Sequence, residues 1–244
     1  MSGGARACWD VASAVNGWLT RREAEFLYEA ARAVPRGGRI VEIGSFFGRS
    51  TLCLAFGSRD GNQAPILAVD PHYGSPKHER MIGCADTYPS FVANLEAAGV
   101  GALVEPVHAT SERAAAECEG PLDLIFVDGS HELLAVRTDF ERWFPKLRDG
   151  GTIAFHDSWH MSGVRRVTTG LLAAPCELAS PRLVDTITAC VKRTGSRNRH
   201  RAFVWLRRLR APLGFLRLTY RGTRLVDARA AHAELLARLG RAPR

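Results

Sequence analysis

Short unbroken apolar runs, rich in β-branched residues, alternate along this chain with amphipathic stretches of helical period. RIVEI (39–43), ILAVD (66–70), ALVEPV (102–107), LDLIFV (122–127) and TIAFHD (152–157) read as five strands. Runs without polar alternation suit strands buried on both faces, as in a parallel sheet. Helical stretches follow them at about 48–56, 89–98, 111–119, 132–147 and 164–172. Two more helices, near 5–17 and 20–34, precede the first strand. The second has Thr20 and Glu23 at capping-box spacing and ends before Pro35. VDTITACVK (184–192) alternates apolar and polar residues and reads as a sixth strand. AFVWL (202–206) is the late candidate for a seventh, although its arginine-rich surroundings suit a helix as well. The pattern predicts an α/β fold with a doubly wound, mostly parallel sheet. Its expected units are N-terminal helices (1–35), a central domain (36–192) and a basic C-terminal extension (193–244).

Chemistry collects at the ends of the strands. LDLIFV stops in Asp128-Gly129-Ser130-His131, and after the Gly150-Gly151 turn TIAF stops in His156-Asp157. Functional groups of such sheets lie at the carboxyl ends of the strands, and neighbouring strands are roughly 4.8 Å apart. Asp128, His156 and Asp157 are therefore expected to converge.

After the first strand comes Glu42-Ile43-Gly44-Ser45-Phe46-Phe47-Gly48-Arg49-Ser50-Thr51. Gly44 permits a tight turn and close ligand approach, and Gly48 opens a helix whose free N–H groups can meet a ligand. The spacing is not that of the GxGxxG dinucleotide motif. Asp70, about twenty residues beyond the turn, stands where an acid reaches ribose hydroxyls; the plainer reading is a turn aspartate before Pro71. Together these features fit an adenosyl ligand without a pyrophosphate.

The V-D-G-x-H sequence after the fourth strand and the G-G-x-I-x-F-H-D fifth strand resemble class I S-adenosylmethionine-dependent methyltransferases. The resemblance spans about residues 36–192 and implies a Rossmann-like methyltransferase fold. It implies that Glu42, Gly44, Ser45 and Gly48 line the methionine end of S-adenosylmethionine, with Ser50 and Thr51 nearby. Asp70 would hold the ribose, and Thr110 and Ser111 would lie beside the adenine. Asp128 is counted on both the cofactor and the acceptor side. Methyltransferases that act on base amines usually carry N/D-P-P-aromatic where this chain has Asp128-Gly129-Ser130-His131.

Methyl transfer to an alcohol needs the nucleophile positioned and its proton removed. A divalent cation, Mg²⁺ or Mn²⁺, acidifies a bound hydroxyl. Similar metal-dependent O-methyltransferases end the fifth strand in an acidic pair or Asp-Asn. Here the expected metal ligands are Asp128, His156 and Asp157, with His156 the departure. Asp128 and His131 are the expected catalytic residues, His131 as general base; its plainer role is a helix-start hydrogen bonder. Asp139 and Trp143 are expected to cap and pack, the 72–88 segment to form a lid, and His160 and Met161 to border the acceptor.

The expected activity is O-methylation of a small-molecule or sugar hydroxyl. The alternatives are a metal-independent methyltransferase using His131, or a non-catalytic cofactor-binding protein whose tail is an interaction surface; nucleic-acid methylation comes last.

Composition narrows the setting. With 46% hydrophobic and 24% charged residues the chain has the balance of an ordinary globular protein. No apolar stretch approaches the ~20 residues that span a bilayer. The N-terminus carries Asp10 and lacks the compact apolar core of a signal peptide. Six cysteines without CxxC or zinc-like spacing suit a reduced, cytoplasmic environment. The net charge of +8 is uneven: residues 193–244 hold fourteen arginines and no lysine against Asp227 and Glu234, leaving −4 for the rest. In 201–225 bulky apolar residues alternate with arginines. This tail reads first as packing on its own domain or on a second subunit of a homo-oligomer. Anionic lipid at a membrane surface is the next reading, and nucleic acid phosphates the last.

Overall fold

In the computed structural model, residues 2–73 and 86–204 are described. Helices α1 (Gly3–Ala12) and α2 (Arg21–Arg32) lead into β1 (Ile40–Ile43), α3 (Arg49–Asp60) and β2 (Ile66–Val69). After residues 74–85 come α4 (Tyr88–Ala97), β3 (Val104–Val107), α5 (Ser111–Glu117) and β4 (Leu122–Val127). Then follow α6 (Leu133–Trp143), β5 (Leu147–Phe155), α7 (Ser162–Ala173), β6 (Leu178–Val184) and β7 (Ile187–Lys192). The described strands form one sheet in the order β3-β2-β1-β4-β5-β7-β6. Strands β1 to β5 run parallel, and the β6–β7 hairpin joins β5 antiparallel through β7.

The central strands form where they do because both faces are covered. Every residue of β1 and β4 is buried. Successive residues serve opposite faces, as the pleat requires. Ile40, Leu124, Phe126 and Ala154 pack with Cys8, Leu27 and Leu52 of α1, α2 and α3 and with Phe91 of α4. Val41, Ile125, Val127, Ile153 and Phe155 pack with Ala114, Trp143, Val164 and Leu172 of α5, α6 and α7. The N-terminal helices thus share the core of the sheet. At Gly57 a β-carbon would stand 2.1 Å from the Tyr28 carbonyl, so α2 reaches α3 only because a glycine is there.

One expected strand is corrected. VDTITACVK is the end of β6, the Asp185-Thr186 turn and β7, and the second late strand is Leu178–Val184 rather than AFVWL. Residues 201–204 are helical, and 205–206 lie outside the described residues. The β6 pattern is hidden by Ser180, at φ 48°, and Pro181, where the register shifts. Proline is tolerated here because β6 is an edge strand with one side free of partners. Of the expected lid over 72–88, residues 74–85 lie outside the described residues, as does most of the arginine-rich tail, 205–244; Tyr73 and Asp86, within the same segment, form a bridge. Among the described residues no helix is long and apolar enough to cross a membrane. Cys8, Cys53, Cys118, Cys176 and Cys190 are free thiols.

The sheet positions the site by register. Ile43 is level with Val69 and Val127, and Val127 with Phe155. The ladder continues one residue further: Gly44 N–H donates to Val69 O at 2.8 Å, Asp128 N–H to Ile43 O at 2.8 Å and His156 N–H to Val127 O at 3.0 Å. Gly44, Asp70, Asp128 and His156 therefore form one row across the β1/β4 switch point, where strand order reverses and open α/β sheets bind ligands.

Candidate active site

The first half of the site is the β1–α3 turn. Gly44 has φ +89°, and a β-carbon on it would sit 2.3 Å from the Asp128 carbonyl oxygen, so β1 and β4 meet edge to edge only without a side chain there. Gly48, at φ +91°, begins α3 without a side-chain cap. Glu42 is fully buried under this turn, and its Oε2 accepts the Thr51 hydroxyl at 2.5 Å. Glu42 Oε1 and Ser45 Oγ are buried without an aligned hydrogen-bond partner. Unsatisfied buried polar atoms are costly and mark places where a ligand completes the set. Burial pushes the Glu42 carboxyl up to about 7, tempered by the hydroxyls of Ser50, Thr51 and Ser45.

That shift has a testable sign. Because the folded value lies above the ordinary 4.5, this group's stabilisation is complete below about pH 4.5 and is lost as pH rises through 7. In the unliganded protein Glu42→Gln should therefore gain about 3 kcal/mol over the wild type near pH 8 and lose most of that advantage near pH 5. Urea unfolding at both pH values measures it; a pH-independent difference would refute the assignment.

Asp70 pins the turn from β2. Its Oδ2 accepts Phe46 N–H at 2.8 Å and its Oδ1 accepts His72 N–H at 2.6 Å, so it serves as the turn aspartate while each oxygen keeps a further lone pair. Thr110 is the N-cap of α5, accepting Arg113 N–H at 3.4 Å. Ser111 accepts the Trp143 indole N–H at 2.9 Å, which joins α5 to α6. Asp139, buried nearby, has its carboxyl raised to about 6 by burial, an effect that Ser111 opposes. Asp139 and Trp143 thus pack, as expected from their spacing.

The second half gathers at the tips of β4 and β5 and the start of α6. Asp128, His131 and Asp157 each direct one ligand atom into a group whose members lie within 4.8 Å of one another. His131 Nε2 is 3.3 Å from Asp157 Oδ2 but is not aligned for a hydrogen bond. His160, one helical turn past Asp157, places Nε2 3.0 Å from Asp157 Oδ1.

The three-residue group differs from the expected ligand set at one position, with His131 where His156 was expected. His156 is buried, with Nδ1 3.0 Å from Asp128 Oδ1 and Nε2 3.5 Å from Glu23 Oε2. Its Nδ1 also lies 3.6 Å from Asp157 Oδ1, so both ring nitrogens are turned to carboxylates; the imidazole in the three-residue group is His131. Burial alone would lower the His156 pKa, but Asp128, Asp157 and Glu23 outweigh it and hold it well above the ordinary value. Burial raises the Asp128 carboxyl despite the attraction of His156. For Asp157 burial is overcome by His156 and His160, and its carboxyl lies well below the usual range.

Glu23 was missed as a site residue. Its sequence signal was the capping box, which is complete: Thr20 Oγ1 accepts Glu23 N–H at 3.2 Å and Glu23 Oε2 accepts Thr20 N–H at 2.8 Å. Nothing local indicates that the same carboxylate meets a histidine 133 residues away.

Residues 41–158 match the family model of a methyltransferase domain. Among solved structures the chain is similar to the S-adenosylhomocysteine-bound methyltransferase PaMTH1 of Podospora anserina, with TM-score 0.59 and 19% identity over 79% of this chain and 89% of that one. It is also similar to the O-methyltransferase TomG of Streptomyces achromogenes, involved in tomaymycin synthesis and solved with S-adenosylmethionine (TM-score 0.55, 17% identity, 79% and 91% covered). A Bacillus cereus O-methyltransferase bound to S-adenosylhomocysteine gives TM-score 0.52 at 20% identity, covering 79% and 92%. Among curated proteins, uncharacterized protein y4gI of Sinorhizobium fredii is 30% identical over 132 residues, which are 50% of this chain but only 13% of that protein. With the strand order, the glycine turn at the switch point and the acidic strand tips, residues 41–158 form a methyltransferase domain on the Rossmann-like fold that these S-adenosylmethionine- and S-adenosylhomocysteine-bound methyltransferases share.

Proposed function

We propose that this domain methylates a hydroxyl of a small-molecule or sugar acceptor with the help of a divalent cation held by Asp128, His131 and Asp157. The observation that carries the reading is the convergence of these three side chains beside the Gly44 turn. The two carboxylates suit Mg²⁺ or Mn²⁺, and the imidazole beside them favours Mn²⁺ over Mg²⁺. The names of the Streptomyces achromogenes and Bacillus cereus proteins as O-methyltransferases support transfer to oxygen.

The residues divide the work. Glu42 Oε1 and Ser45 Oγ, buried and unsatisfied, suit the ammonium end of the methionine moiety. Asp70 offers its remaining lone pairs to ribose hydroxyls. A cation bound at the three-residue group would acidify and orient an acceptor hydroxyl. His131 then serves as a ligand and is no longer free to act as the base. His160, 40% exposed beside Asp157, stands where it can take the acceptor proton.

The pairing of His131 with Asp157 at 3.3 Å favours a second reading, in which His131 is oriented by Asp157 as a metal-independent base. Mn²⁺ titration of the protein saturated with S-adenosylhomocysteine, followed by calorimetry, separates the two. One ion per chain, with methyl transfer abolished by a chelator across a panel of hydroxylated acceptors, is the expected result. Transfer that survives the chelator would leave the His131 base.

A further inference from the structure

We infer that Glu23 is a positioning residue of the acceptor site, fixing the Asp128 carboxylate through His156. The inference rests on the cation-assisted reading above for its effect on function.

A capping-box glutamate needs one oxygen for its task and performs it at a helix surface. Glu23 is 1% exposed, and burying a carboxylate is costly unless it is fully paired. Its Oε1 accepts both the backbone N–H of Thr186, at 2.7 Å, and the Thr186 hydroxyl, at 2.6 Å. Its Oε2 accepts Thr20 N–H and faces His156 Nε2 at 3.5 Å. Four contacts from three elements thus hold one side chain in one place. The opposite ring nitrogen of His156 meets Asp128 Oδ1 at 3.0 Å, and the ring packs edge-on against Phe126.

An imidazole with a carboxylate at each nitrogen has a single satisfied orientation. If the Glu23 carboxylate is removed, the ring can flip or tilt without losing a bond at Nε2. Tying Oδ1 of Asp128 to the fixed ring sets the orientation of the carboxylate that shares a group with His131 and Asp157. Outer-shell partners of this kind change metal affinity by about 10- to 100-fold. The arrangement also makes the site depend on the docking of α2. Thr20 and Arg22 bind Asp185 at 2.7 and 2.9 Å, so the helix start is clamped to the β6–β7 turn beside the Glu23 contacts.

The test uses the full chain. Glu23→Gln, Thr186→Val, His156→Gln and the Glu23→Gln/His156→Gln pair are compared with wild type by Mn²⁺ calorimetry, S-adenosylhomocysteine calorimetry, urea unfolding and long-range ¹H–¹⁵N spectra of the imidazole rings. Glu23→Gln is expected to weaken Mn²⁺ by about tenfold or more, leave S-adenosylhomocysteine within about twofold, and shift both His156 ring signals. Thr186→Val removes a contact of Glu23 but not its carboxylate, so it should cost comparable stability with little change in Mn²⁺ affinity. Equal Mn²⁺ losses in the two variants would make the effect merely structural and overturn the inference. So would a further loss from Glu23→Gln in the His156→Gln background. Should wild type bind no Mn²⁺, the cation reading fails by itself and Glu23 is judged on the ring spectra. A shifted His156 Nδ1 signal in Glu23→Gln then upholds the positioning role, and an unchanged one overturns it.

Discussion

Asp157→Asn is expected to weaken Mn²⁺ binding by roughly a hundredfold or more, above the range for outer-shell partners, because on the cation-assisted reading it removes a direct ligand. Asparagine is the informative replacement because Asp157 has φ +52°, a left-handed conformation that asparagine adopts readily and alanine does not. The backbone that carries His156 and His160 should therefore stay in place. The charge that faces His131 at 3.3 Å and His160 at 3.0 Å is lost. Stability should fall by only about 2 kcal/mol, less than for an orphaned buried charge, because the His156 ring keeps Asp128 and Glu23. Calorimetry with MnCl₂ and urea unfolding read the two effects separately. Unaltered Mn²⁺ affinity in a folded variant would remove Asp157 from the ligand set.

Among the described glycines only Gly44 combines a positive φ with backbone atoms closer than 3.0 Å to an added β-carbon, so Gly44→Ala should be strongly damaging. A non-glycine residue at φ +89° stores about 1–3 kcal/mol of strain. The new β-carbon would also meet the Asp128 carbonyl oxygen at 2.3 Å, its carbon at 2.6 Å and the Gly129 α-carbon at 2.7 Å. All three are backbone atoms of the next strand and cannot swing aside, and overpacking of this kind costs a further 1–3 kcal/mol or so. A total of about 3–5 kcal/mol is expected, with loss of S-adenosylhomocysteine binding because the turn and the β4 tip move together. Gly48→Ala is the useful contrast. Its β-carbon meets only the Phe91 ring, at 3.1 Å, which can give way, so the cost there is mainly conformational strain. A Gly44→Ala protein within about 1 kcal/mol of wild type would refute the close approach of β1 and β4.

The two halves of the pocket were unequally legible. Glu42, Gly44, Asp70, Asp128 and Asp157 stand at strand ends that a run of apolar residues announces, and register carries Gly44, Asp70 and Asp128 into one row. The edge strand β6 left no such run, because one free side tolerates Pro181 and a register shift. His156 shows how a side chain correctly placed on a strand tip can meet partners that its own strand does not announce. Ala154 faces the α2 side and Phe155 the α6 side. Carrying that alternation one residue further turns His156 back towards α2, beneath the pocket. Asp128 follows Val127 by the same rule and lies beside it, which is why the two bond. Asp157 escapes the alternation because its positive φ swings it towards His131 and His160.

Local pattern alone therefore determined the βαβ order, the switch point and the acids that crown it, since these depend on neighbours within a strand or turn. The docking of α2 decided the rest. A buried glutamate from the chain's first thirty residues, held by Thr186, occupies the far side of His156 and leaves His131 to complete the pocket. Which of two histidines faces a ligand depends on where carboxylates from distant segments come to rest, and only the packed structure brings them there.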